Sequence, residues 1–201
     1  MYQNIPTKCL TGEVRISFEH LTKPYTNTPG ADPKYSCTIL VPKVDANTYN
    51  DLKNALTAAY EMGVKDKWKG MRPQLRYPVI YDGDGTRPSG EPFGEECKGH
   101  WVLTASSKQM PQAVHQSNIR VQLAETDIYS GMYARVTVNF FPYDSSGNRG
   151  VGCGLGNVMK TKDGEPLSGR NNAEGDFKSI APQQTQNAFS GSINPITGLP
   201  M

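Results

Sequence analysis

Residues 129–157 hold the pattern that most restricts what this chain can fold into. Over residues 132–141, apolar side chains alternate with polar and aromatic ones. A period of two places these two sets on opposite faces of one strand, with the apolar face in a core. The apolar set is Met132, Ala134, Val136, Val138 and Phe140, and the opposite set is Tyr133, Arg135, Thr137, Asn139 and Phe141.

A second alternating stretch follows a polar turn at residues 144–148. Its apolar residues are Val151, Cys153 and Leu155, and its other residues are Gly150, Gly152, Gly154 and Gly156. Two alternating runs joined by turn-forming residues predict a β-hairpin. With an even number of loop residues, the facing pairs are Phe141 with Gly152, Tyr143 with Gly150, and Asn139 with Gly154.

Two interpretations of the bare glycine face remain open. Glycines allow a bulge, a tight bend or a close backbone approach, and the aromatic rings of the first strand then cover them. Alternatively, the glycines form a flat platform on which a planar ligand stacks beside the rings of Tyr133, Phe141 and Tyr143 and the cation of Arg135. A strongly curved small barrel is compatible with both.

The rest of the chain predicts a mainly β fold with one helix. Further strands are expected at residues 13–21, 35–41, 79–81, 100–105 and 119–123. The first of them would bury Val14, Ile16 and Phe18 on one face. Asp45 or Asn47 is suited to cap a helix that Gly63 ends. Six or seven short strands and one helix favour an OB-fold-like, five-stranded antiparallel barrel with an inserted helix and long loops.

Residues 64–77 combine basic and aromatic side chains. The basic ones are Lys65, Lys67, Lys69, Arg72 and Arg76, and the aromatic ones are Trp68 and Tyr77. Cations that neutralise phosphates and rings that stack on bases are what a single-stranded nucleic-acid site requires. The alternative is a solvated helix exit with Trp68 in the core.

The loop at residues 82–99 carries four carboxylates, at Asp82, Asp84, Glu95 and Glu96. They raise the alternative of a metal-dependent nuclease, but Asp-Gly-Asp-Gly is common turn chemistry and the calcium-loop pattern is not completed. Cys97 and His100 lack the second pair that a zinc site needs. We therefore expect neither a metal nor another cofactor.

The chain of 201 residues suits one domain, which we place at residues 1–170, followed by a flexible polar tail at 171–201. The net charge is only +2, but 11 of the 21 Lys and Arg residues lie in residues 1–76, and such a local excess can attract a polyanion. Four dispersed cysteines and no apolar N-terminal segment predict reduced thiols in a cytosol. No run approaches the roughly 18 apolar residues of a membrane helix.

Several segments resemble a known family, the single-stranded-DNA-binding proteins of tailed bacteriophages, once described only as a domain of unknown function. The resemblance covers about residues 8–170 and is carried by GEVRISFEHLTKPY, YSCTILVPK, YSGMYARVTVNFFPYD and NRGVGCGLGNVMK. It implies an OB-fold, binding of single strands in phage replication or recombination, no catalytic activity and a location in the cytoplasm of the infected host. Unlike many replicative single-strand-binding proteins, the chain ends in SINPITGLPM rather than in an acidic tail.

The combined hypothesis is a non-enzymatic protein that coats single-stranded DNA with little sequence preference. Replication or recombination proteins are further candidate partners, and homo-oligomerisation stays open. The rival hypotheses are the metal-dependent nuclease and a structural or adaptor protein of a virus particle. The expected DNA-binding residues are Lys65, Lys67, Trp68, Lys69, Arg72, Arg76, Tyr133, Arg135, Phe141, Tyr143 and Arg149.

Overall fold

The computed structural model describes residues 2–145 and 147–167. This part of the chain is mainly β, with one α-helix. The strands are β1 (Lys8–Leu10), β2 (Val14–Tyr25), β3 (Lys34–Pro42), β4 (Tyr81–Asp82), β5 (His100–Ser107), β6 (Ala113–His115), β7 (Asn118–Gln122), β8 (Tyr133–Ser145) and β9 (Asn148–Lys162). The helix is α1 (Ala46–Met62), followed by a π-helical turn (Gly63–Lys67) and two short 3-10 turns (Glu95–Cys97 and Glu125–Asp127). The predicted tail at residues 171–201 lies outside the described residues.

Five strands pair in a ring, in the order β2, β3, β5, β9, β8 and back to β2. The β5–β9 pairing is parallel, with Ser106 opposite Gly154. The expectation of five antiparallel strands is wrong at this pair, and outside the ring β6 also runs parallel to β9. The remaining strands flank the ring: β1 pairs with β8, β4 with β5, β6 with β9 and β7 with β6.

The hairpin of β8 and β9 has the register that the sequence predicts. Phe141 faces Gly152, Tyr143 faces Gly150 and Asn139 faces Gly154, across a two-residue connection between Ser145 and Asn148. The apolar set, from Met132 just before β8 to Phe140 within it, is fully buried inside the ring. The alternation therefore determines which face of the strand is core.

Helix α1 begins as expected and ends differently. Asp45 caps it, because its Oδ1 accepts a hydrogen bond from the Thr48 backbone N–H at 3.0 Å. Gly63 does not stop the helix: its φ is −62°, and helical backbone continues to Lys67. A Cβ at Gly63 would lie 2.7 Å from the ring of Trp68 and from Pro142. The glycine is thus required for close packing rather than for a left-handed cap.

Strand β2 departs from simple alternation at Phe18. The β2–β3 register shifts by one residue between Ser17 and His20, so that Phe18 and Glu19 together oppose Cys37. Phe18 has a φ of +45° and its side chain is 61% exposed, whereas Ser17 is buried. The prediction that Phe18 belongs to the core is wrong, because a β-bulge turns the side chain to the other face.

Within residues 2–145 and 147–167, no helix combines the length and the apolar character that crossing a membrane requires. The four cysteines are free and buried.

Candidate nucleic-acid interface

A row of small side chains crosses the outer face of the ring. Thr38 of β3 faces Thr104 of β5, and their hydroxyl oxygens are 3.3 Å apart. Because β5 and β9 run parallel with Ser106 opposite Gly154, Gly152 lies beside Thr104, and it faces Phe141 on β8. Four neighbouring strands therefore present two hydroxyls, a glycine and an aromatic ring at one level.

The rings of β8 lie over the glycines of β9. A Cβ on Gly152 would be 2.6 Å from Cζ of Phe141, and a Cβ on Gly150 would overlap the hydroxyl end of Tyr143. The structural interpretation of the glycines is thus correct, since the rings fill the space that side chains would need. Phe141 nevertheless stays 43% exposed, so one side of its ring is available to a ligand.

Tyr143 belongs to a surface depression of about 470 Å³ in front of the glycine strand. Its lining residues include Arg76, Tyr77, Tyr81, Thr104, Tyr143, Arg149, Gly150 and Gly152. The Arg76 guanidinium lies 5.2 Å from the centre of the Tyr77 ring. The structure therefore brings three of the predicted residues, Arg76, Tyr143 and Arg149, into one groove with Tyr77.

Arg149 is held at the rim of this groove. Its Nε donates to a carboxylate oxygen of Asp144 at 2.8 Å, and its Nη1 lies 3.3 Å from the sulfur of Met71. Arg149 lowers the pKa of the Asp144 carboxyl, and the charge of Lys67 lowers it further. The basic segment after α1 thus approaches the groove on the side of Arg149.

The other predicted cations of that segment are exposed. Lys65, Lys67 and Lys69 point into solvent. Arg72 forms a two-pronged ion pair with Glu61, with both N–O distances at 2.8 Å. Its charge is therefore compensated locally, in contrast to that of Arg76.

Trp68 does not stack on a ligand. Its side chain is 0% exposed, it packs edge-on against Tyr60 at 5.2 Å, and its Nε1–H donates to the backbone carbonyl of Tyr143 at 3.0 Å. The prediction that Trp68 contacts DNA is wrong, because Gly63 leaves a space in which its ring packs. Through this hydrogen bond, Trp68 instead stabilises the backbone at Tyr143.

Tyr133 and Arg135 lie at the opposite end of β8 from Phe141. Arg135 is exposed. Tyr133 lies between the guanidinium of Arg15 at 5.9 Å and the ammonium of Lys162 at 4.5 Å. Eight residues of strand correspond to roughly 27 Å, so these two residues are not part of the groove around Tyr143.

A second aromatic group lies at the β2 end of the face. His20 stacks on Tyr25 with ring centres 4.5 Å apart, and Tyr25 is 55% exposed. Together with Phe18 they line a depression of about 670 Å³ that also includes Thr104. Sequence reasoning missed the exposure of Phe18, because nothing local to this residue signals the bulge.

Lys43 lies between the loop carboxylates that suggested a metal. Its Nζ donates to Asp82 and, at 2.6 Å, to Asp84. Asp84 also accepts a hydrogen bond from the Gly99 backbone N–H at 2.8 Å. Among the described residues, no group of three or more His, Cys, Asp and Glu side chains is arranged to hold a metal ion. Asp82 and Asp84 therefore stabilise the loop through their ion pairs with Lys43.

A ring of strands that carries exposed aromatic rings, bare glycines and rim arginines has the features of the class of proteins that bind single-stranded nucleic acid. Comparison with known sequences identifies the family. The family described as Enterobacter phage Enc34, ssDNA-binding protein, matches residues 7–189, and the chain belongs to this family. The family is named for binding DNA rather than for a catalytic activity.

Two solved structures and one further phage protein are similar to this chain. The single-stranded DNA-binding protein from bacteriophage Enc34, in complex with ssDNA, is 27% identical with a TM-score of 0.66, over 80% of this chain and 89% of that chain. The gp2.5 single-stranded DNA-binding protein of bacteriophage T7 shares the fold, with 12% identity and a TM-score of 0.54 over 92% and 98% of the two chains. Protein p50 of Acyrthosiphon pisum secondary endosymbiont phage 1 is 26% identical over 171 residues, which cover 81% of this chain and 87% of that protein.

Proposed function

We propose that this protein binds single-stranded DNA, with little sequence preference, across the outer face of its strand ring. The ring would correspond to the OB-fold barrel that the sequence predicts. The relative from phage Enc34 has been solved in complex with ssDNA and matches most of this chain. The observation that carries the proposal is the half-exposed ring of Phe141 lying over Gly152, beside a groove that contains Tyr143, Arg76 and Arg149.

The geometry favours unpaired bases. Bases stack on Phe141 and Tyr143 through their faces, which a duplex does not offer because its bases already stack on one another. Every base has such a face, so stacking does not select a sequence. Arg76 and Arg149 at the groove, and the exposed Lys67 next to it, supply charges for the phosphates.

In the infected cell, the protein would coat and protect single strands during phage DNA replication or recombination, in the host cytoplasm. It would do so without cleaving them. The candidate nuclease carboxylates Asp82 and Asp84 are bound by Lys43, which supplies the positive charge that a metal would bring. Incubation of the pure protein with ssDNA and Mg²⁺ or Mn²⁺ should leave the DNA intact, and cleavage by the purified protein would contradict this part of the proposal.

Binding is tested by titrating a fluorescently labelled oligothymidine and a duplex of equal length. The affinity for the single strand should exceed that for the duplex and should fall steeply with salt. Replacing both Phe141 and Tyr143 by Ala should weaken binding by about 1–3 kcal/mol per lost base contact. Thermal unfolding should show that the double variant remains folded.

A matched control removes an exposed apolar side chain outside the ring. Ile119 of β7 is 66% exposed, and its replacement by Ala should leave the affinity unchanged. Equal affinities of the wild type and the Phe141/Tyr143 double variant would remove the hairpin from the site.

A further inference from the structure

Phe18 occupies a backbone position that normally selects glycine. At the bulge of β2, its φ of +45° lies in the left-handed region, where glycine is free of the steric cost that a side chain meets. Bulges with a left-handed first residue usually carry glycine there. A bulky residue in such a conformation is strained, and strain of this kind concentrates at functional sites.

The exposed Phe18 ring forms one wall of a cavity of about 280 Å³ on the outer face. Phe93 and Arg87, from the long loop at residues 82–99, line the same cavity, with Thr38 and Thr104 of the strand ring and the buried Val102 and Cys97. The Arg87 guanidinium lies 5.4 Å from the centre of the Phe93 ring. Two aromatic rings and a cation thus surround a small space with an apolar interior.

The long loop is anchored at its base and folded by its own hydrogen bonds at its tip. At the base, Asp84 accepts hydrogen bonds from Lys43 and from the Gly99 backbone. At the tip, the backbone N–H of Arg87 donates to the Glu91 carbonyl at 2.7 Å, and the Gly90 N–H donates to the Arg87 carbonyl at 2.8 Å. Phe93 additionally packs against Tyr81 with ring centres 5.9 Å apart. These contacts preorganise the wall opposite Phe18.

This cavity lies next to the proposed DNA path. Thr104 lines it and also lines both the groove around Tyr143 and the depression around Tyr25. A strand that stacks on Phe141 and crosses the glycine row therefore meets Phe18 next. Within residues 2–145 and 147–167, the Arg87 guanidinium takes part in no ion pair.

We propose that this cavity is a nucleobase pocket, in which one base of the bound single strand inserts between Phe18 and Phe93 while Arg87 contacts the adjoining phosphate. The inference rests on the proposed function and extends it to a defined subsite. The bulge in β2 then turns the Phe18 side chain out of the core and toward the bound base. The backbone strain at Phe18 persists because the ring is needed for binding.

Replacing Phe18 by Gly separates the two roles of this residue. Glycine relieves the left-handed strain, so the melting temperature should rise or stay level, while loss of the ring should weaken oligothymidine binding by about 5- to 150-fold. Phe18→Trp keeps a stacking surface and should retain affinity. Arg87→Gln should reduce the salt dependence of binding by about one phosphate contact. Ile119→Ala is the control, with unchanged affinity.

Photo-crosslinking locates the base directly. An oligonucleotide containing 4-thiothymidine, irradiated in complex with the wild-type protein, should label peptides that contain Phe18 or Phe93. Wild-type binding together with full affinity of Phe18→Gly, or with no crosslink to either peptide, would overturn the pocket and leave the proposed function intact. Failure of the wild-type protein to bind any single strand would overturn both.

Discussion

Replacing Gly152 by Ala tests whether the bare strand positions the Phe141 ring. A Cβ at Gly152 would lie 2.6 Å from Cζ of Phe141 and 2.9 Å from its Cε2, whereas ordinary contacts begin near 3.4 Å. The tip of the ring must therefore move by about 0.8 Å. The ring is half exposed and swings easily, so the fold should tolerate the change.

The cost should appear in binding rather than in stability. An alanine in an extended strand stabilises by about 0.4–1 kcal/mol through the unfolded chain, which roughly offsets the shift of the ring. A base that stacks on Phe141 contributes about 1–3 kcal/mol, and this sets the upper limit of the loss. We expect Gly152→Ala to weaken oligothymidine binding by about 5- to 150-fold at most, with an unfolding midpoint near that of the wild type.

A double-mutant cycle measured by fluorescence anisotropy shows whether the glycine acts through the ring. In the Phe141→Ala background, Gly152→Ala should cost nothing further, because the ring that it displaces is gone. Ile119→Ala is the control, since this exposed side chain lies outside the ring of strands. Wild-type affinity of Gly152→Ala, or full additivity with Phe141→Ala, would refute the argument that this glycine sets the ring.

Three further predictions concern a buried ring, two arginines and a buried thiol. Trp68→Ala should lower the free energy of unfolding in urea by about 3–5 kcal/mol, because it empties a fully buried site. Arg76→Gln should reduce the slope of log affinity against log salt by about 0.7, whereas Arg72→Gln should change it less because Glu61 already holds that charge. Burial raises the pKa of the Cys37 thiol to about 12; the unfolded thiol ionises near pH 8.5, so stability should fall between about pH 9 and 12, by about 1.4 kcal/mol per pH unit for this thiol.

Each of these has a control or an outcome that would contradict it. A loss below about 1 kcal/mol for Trp68→Ala would be inconsistent with its burial in a rigid core. Equal salt slopes for the two arginine variants would mean that Arg76 does not meet a phosphate. Cys37→Ala should show a shallower fall of stability at alkaline pH than the wild type. Parallel stability curves for these two proteins would show that the thiol is not the group that titrates.

The strand pattern and the hairpin register could be predicted from sequence because they depend on local regularities. A period of two along residues 132–141 defines the core face wherever the strand ends up, and turn residues next to it define which residues face each other. Asp45 likewise signals a cap through contacts within four residues. The pairing of Phe141 with Gly152 could therefore be predicted from the sequence alone.

The exposure of Phe18, the burial of Trp68 and the pairing of Asp82 and Asp84 with Lys43 were decided by the tertiary structure. Each depends on a segment distant in the chain: the bulge exists against β3, the Trp68 indole donates to the backbone carbonyl of Tyr143, and Lys43 reaches a loop forty residues further on. A local pattern cannot report which surface will lie opposite a side chain. The sequence thus determined that the aromatic side chains of β8 lie over the glycines of β9. The pairing of five strands into a closed ring decided which other side chains lie beside them.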